Sequence, residues 1–72
     1  VINKEVIVYF LEKYTHFNYY VVLEICDITE DEYEYLFWVT FLDKSYREPC
    51  HISKKRYNEI YKLIRNKKLK TL

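Results

Sequence analysis

Near the C-terminus the chain repeats apolar side chains at helical spacing: Tyr57, Ile60, Tyr61 and Ile64 stand at i, i+3, i+4 and i+7. Ser53 precedes this stripe where an N-cap belongs, its hydroxyl placed to take an N–H of the first turn. Lys54, Lys55, Asn58, Lys62 and Arg65 fall on the opposite side of the wheel, so the pattern predicts a helix with a core-facing stripe and a basic outer face. Two earlier stretches change period. NYYVVLEICDI (18–28) and YEYLFWVTFLD (33–43) are rich in β-branched and aromatic residues and read as strands, with TEDE between them as the polar turn of an antiparallel hairpin. REPCHI (47–52) reads as a short edge strand, because Pro49 has no N–H to give a central ladder. The first stretch, NKEVIVYFLEKYTH (3–16), fits two periods. As a helix it gathers Val6, Ile7, Phe10, Leu11 and Tyr14 on one side; as a strand it would be apolar on both faces. The helix is favoured, since a short chain covers one more helix more easily than both faces of another strand.

These elements predict a single small α+β domain over residues 1–72: a three-stranded antiparallel sheet with a C-terminal helix, joined by the N-terminal one, packed on one face. Strand alternation then assigns the two faces. Tyr19, Val21, Leu23 and Ile25, with Tyr33, Tyr35, Phe37, Val39 and Phe41, are expected to face the core. The other face carries Tyr20, Val22, Glu24 and Cys26, then Glu34, Leu36, Trp38, Thr40 and Leu42, which is very apolar for a surface. Trp38, Leu36, Leu42, Tyr20 and Val22 are therefore the candidate partner-binding residues, since large aromatic side chains anchor protein interfaces.

Charge changes the picture more than composition does. The net charge is only +1, but residues 53–72 hold eight of the twelve Lys and Arg against Glu59, and residues 1–52 hold ten acids against four basic residues. The molecule is expected to be dipolar, with Asp31, Glu32 and Glu34 at the hairpin end and Lys54, Lys55, Lys62 and Arg65 on the helix. A 50% hydrophobic, 19% aromatic chain can form a core. At 72 residues, however, its net stability is expected to be only about 4 to 11 kcal/mol.

The absence of glycine excludes the Gly-dependent phosphate loops and the nucleophile elbow, where a Cβ would block the backbone's approach. Ala, Gln and Met are absent too, and the abundance of Lys, Ile, Tyr, Asn and Phe is the bias of A- and T-rich codons, as in a low-GC bacterium, its phage or a virus. No apolar run reaches the roughly 18 residues of a membrane span, and the first residues do not read as a signal peptide, so a cytoplasmic protein without a membrane role is expected. Cys26 and Cys50 are expected to be free, buried thiols.

The order helix, strand, strand, strand, helix, with SKK (53–55) opening the last helix, resembles the double-stranded RNA-binding domain over most of the chain; residues 35–65 also resemble the arm-binding domains of phage integrases. The resemblance implies the topology. It departs at Tyr57, where the RNA-binding family packs a small alanine, at the missing glycines, and at TEDEYE, which puts acids where that family meets a minor groove. Shared topology licenses no function.

Catalytic and metal chemistry find little support in the spacing. Cys26, Cys50, His16 and His51 are competent zinc ligands, but no CxxC or HxxxH occurs, and adjacent Cys50 and His51 would point to opposite faces of a strand. Neither a Cys–His nucleophilic pair nor an acid pair in a cleft is indicated, so no catalytic residue, metal or cofactor is expected. The function expected is non-enzymatic: a small inhibitor or adaptor, of the kind phages and mobile elements direct at host or defence proteins, which blocks a protein partner sterically. A homodimer would cover the same apolar face. The alternative is a nucleic-acid-binding module using the basic helix.

Overall fold

A computed structural model describes residues 2–17, 21–42 and 47–70. The N-terminal stretch is a helix, α1 (Lys4–Tyr14). Asn3 starts it: its Oδ1 accepts the Glu5 N–H at 2.9 Å, and Glu5 in the first turn and Lys13 in the last both suit the helix dipole. At the other end the Thr15 hydroxyl donates to the Leu11 carbonyl at 2.6 Å and accepts the Phe17 N–H at 3.1 Å. Val6, Ile7 and Leu11 form the buried stripe.

Three strands follow, β1 (Val22–Glu30), β2 (Glu34–Phe41) and β3 (Arg47–Ser53), in the antiparallel order β1-β2-β3. Asp31 makes the first turn. Its Oδ1 accepts the N–H groups of Tyr33 at 2.7 Å and Glu34 at 2.9 Å, so the turn covers residues 31–33, starting two residues and ending one residue later than TEDE, and Tyr33, expected to face the core, is instead 74% exposed at its tip. The second connection, DKSY, and residues 18–20 lie outside the described residues, so the expected placements of Tyr19 and Tyr20 do too. β3 lies at an edge, as Pro49 requires. It leads into α2 (Lys54–Lys70), where the Ser53 Oγ accepts the Arg56 N–H at 3.0 Å as an N-cap.

β2 and β3 pair without interruption, but β1 carries two extra residues. Val22 lies opposite Phe41 and Glu24 opposite Thr40, so Leu23 is an insertion that reverses the phase of the strand. This corrects the faces expected for β1: Val22 packs on the core, whereas Val21 and Leu23 are exposed. The second bulge sets Asp27 and Ile28 against one residue of β2, and Asp27 adopts φ 52°, the only positive φ among the described residues. In a chain without glycine, aspartate is among the few residues that enter this region at modest cost.

Both helices cover one sheet face. Val6, Ile7 and Leu11 of α1 and Tyr57 and Ile60 of α2 meet Phe37, Val39 and Phe41 of β2 and Ile52 of β3, with Phe17 completing the buried cluster. The Tyr57 hydroxyl, drawn into this layer, accepts the Asn3 N–H at 2.8 Å, and its ring meets Tyr35 edge-on at 5.2 Å. Tyr61, expected in the core, is instead 43% exposed, because only the first half of α2 is buried.

Candidate functional site: the open face of the sheet

With both helices on one side, the other side of the sheet has no cover among the described residues. Registers place Leu36 between Thr29 and His51, Trp38 between Cys26 and Pro49, and Thr40 between Glu24 and Arg47. Leu36 is 42% exposed and Trp38 39% exposed, although both lie on the central strand. Leu42 is exposed just beyond the end of β2. Of the five residues expected to bind a partner, then, Trp38, Leu36 and Leu42 are exposed; Val22 is turned to the core by the Leu23 bulge, and Tyr20 lies outside the described residues.

Sequence reasoning missed Arg47. It reaches across β2 from β3, its guanidinium carbon 5.2 Å from the centre of the Trp38 ring, and forms an ion pair with Asp27. Its Nη1 also stands 3.6 Å from the Cys26 sulfur. The sulfur and the Asp27 carboxylate together raise its already high pKa. The left-handed bulge at Asp27 is what brings that carboxylate to the arginine, and only the register of the folded sheet reveals it. At the other side of the tryptophan, His51 Nδ1 lies 3.1 Å from Glu34 Oε2. The face is therefore an apolar centre of Leu36, Trp38 and Pro49 between the Arg47–Asp27 ion pair and the His51–Glu34 contact.

Of the expected charged surface, Asp31 and Lys54 have local work. The two backbone N–H donors hold the Asp31 carboxyl below its ordinary value. Lys54 lies 2.8 Å from Glu30 and over the Tyr35 ring at 5.4 Å; the Glu30 hydrogen bond raises its pKa and lowers that of Glu30. That contact ties hairpin to helix. Glu32, Lys55, Lys62 and Arg65 remain exposed.

The two cysteines sit on different edge strands and opposite faces, Cys26 beside Trp38 and Cys50 opposite core residue Phe37, and both are free. Each is half-buried rather than buried as expected, since an edge strand has cover from one neighbour only. Burial, and then Glu48, raises the Cys50 thiol to about 11. No cluster of three His, Cys, Asp or Glu side chains able to hold a metal occurs among the described residues. A cleft of about 950 Å³ opens between the helices, with Val8, Tyr9, Leu63 and Ile64 as its apolar lining, but its charged groups belong to Lys4, Glu5, Glu12, Lys67 and Lys68, with no nucleophile–base pair. No helix among the described residues is long and apolar enough to cross a membrane.

No family model, curated protein or solved structure matches the chain.

Proposed function

We propose that this protein is a non-enzymatic inhibitor or adaptor that binds a partner protein through the open sheet face and occludes it. One observation carries the reading: Trp38 stands in the middle of the central strand, on the side away from both helices, with Leu36 and Pro49 beside it. A tryptophan held in place by its strand and by Arg47 loses little conformational freedom on binding, which is what an interface anchor requires. On the Arg47 side the charge is already paired with Asp27, so a partner need supply only apolar surface there. The edges favour face binding over strand addition: two bulges break β1, and Pro49 of β3 has no N–H to give an added strand.

As the only tryptophan, Trp38 reports directly on the reading. Its emission is expected to shift to the blue on addition of the partner, to stay unchanged on dilution of the protein alone, and Trp38→Ala is expected to weaken partner binding at least tenfold while leaving the fold intact. A dilution-dependent emission would mean that a second copy covers the face. Unchanged partner affinity in a folded Trp38→Ala variant would end the proposal. The second reading, a nucleic-acid-binding module, is favoured by the exposed cations of α2.

A further inference from the structure

α2 is anchored along its first half only. Tyr57 and Ile60 are buried, whereas from Tyr61 to Lys68 every residue except half-buried Ile64 is exposed. The helix has 17 residues, a rod of about 25 Å whose second half projects beyond the core. Ion pairs sort its cations. Lys54 is held by Glu30, Arg56 by Glu59 and by the Tyr14 ring, and Lys68 by Glu5. Lys55, Lys62, Arg65 and Lys67 have no ion-pair partner among the described residues. Two acids are already committed elsewhere: Glu59 turns to Arg56 and Glu5 to Lys68.

At 100° per residue, Lys55 and Lys62 share the solvent-facing crest of α2 and Arg65 stands to one side of it, while Lys67 falls close to the direction of buried Ile60 and lines the cleft against α1. We infer that the solvent-facing crest of α2 enters the major groove of B-form duplex DNA, with Lys55, Lys62 and Arg65 contacting phosphates. The inference rests on the nucleic-acid reading of α2 and is independent of the sheet face. An acidic protein surface fits less well, because the crest carries no apolar anchor and unanchored charges contribute little to protein affinity. Single strands are bound chiefly by stacked aromatics, and Tyr61 is the only aromatic side chain on the exposed half. The groove of B-form DNA, about 12 Å wide, admits a helix, whereas the A-form major groove is too narrow.

The test is fluorescence anisotropy of the full chain with a short labelled DNA duplex over a series of NaCl concentrations. Three phosphate contacts predict a slope of log K against log salt of about −2.7, falling to about −1.8 in Lys62→Gln and in Arg65→Gln. Glu59→Gln is expected to tighten binding several-fold. Trp38→Ala is expected to leave both affinity and slope unchanged, so failure at either surface does not implicate the other. Circular dichroism of each exposed variant, expected to melt with the parent, separates lost contacts from lost fold. Absence of binding at the lowest salt, a slope that ignores both variants, equal affinity for an A-form RNA duplex, or displacement by an equal charge of polyglutamate would each overturn the inference.

Discussion

Cys26 and Cys50 share a chemistry and differ in surroundings. Cys50 faces the core layer, where burial favours the neutral thiol and raises its pKa from 9.0 to about 11, so almost none of it is thiolate at neutral pH. Cys26 lies on the open face beside the Arg47 guanidinium. A maleimide or disulfide reagent at pH 7.5 is expected to label Cys26 faster than Cys50, as mass mapping of the labelled peptides would show; equal rates in the native protein would contradict the difference in surroundings. The raised Cys50 value also sets a pH dependence. The folded state holds that proton more tightly than the unfolded chain, so the contribution is fully present below about pH 9 and is lost as pH rises toward 11. Cys50→Ala is expected to flatten that part of the stability profile, relative to the parent, in urea titrations run between pH 8 and 11. The two thiols were legible as free in the sequence, from number and spacing. Their difference was not, because it depends on which strand edge and which face each one occupies.

At the scale of elements, α2 was legible because its signals are local, a 3.6-residue period, Ser53 as a cap and a run of lysines after the stripe, whereas the N-terminal stretch fitted two periods and its Asn3 cap is seen only in the folded chain. Ser53→Ala is expected to cost about 1 kcal/mol in equilibrium unfolding, through loss of the acceptor for the Arg56 N–H. β2 was legible for the same reason, since Tyr35, Phe37, Val39 and Phe41 alternate without interruption. β1 was not. Its apolar residues run together through Val21, Val22 and Leu23, so alternation had two phases to choose from, and the Leu23 bulge switches from one to the other, so that Val22 and Ile25, of opposite phase, both pack on the core. The freed Leu23 carbonyl then accepts the Lys4 ammonium at 3.4 Å, a bond to α1 that no strand pattern announces. The second bulge yields a test of the backbone. Asp27→Gly keeps the left-handed conformation and loses only an exposed ion pair, for a change within about 1 kcal/mol, whereas Asp27→Val places a β-branched residue there and is expected to cost about 2 kcal/mol. Equal losses in the two variants would mean that the ion pair, rather than the turn of the backbone, holds the bulge.

For the whole molecule, the consequence of placing both helices on one side is that neighbouring residues of one strand live in different environments. Phe37 is 2% exposed under the helices, and Leu36 projects from the open face. Truncating a buried phenylalanine typically costs about 3 to 5 kcal/mol, against a total for a chain of this size of about 4 to 11 kcal/mol. Phe37→Ala is therefore expected to remove a large part of the total stability and to lower the melting temperature strongly, in one cooperative transition because one core serves every element. Leu36→Ala removes surface already wet and is expected to shift stability by no more than about 0.5 kcal/mol. Circular dichroism melts of the two variants, each at two protein concentrations, check the pair. If Leu36→Ala were as damaging as Phe37→Ala, and the parent's melting temperature rose with concentration, the outer face would already be covered by a second copy and unable to receive a foreign partner. If Leu36→Ala melts with the parent at both concentrations, folding does not require the Leu36 and Trp38 face. That apolar surface would then be maintained at no benefit to stability, as a binding surface is.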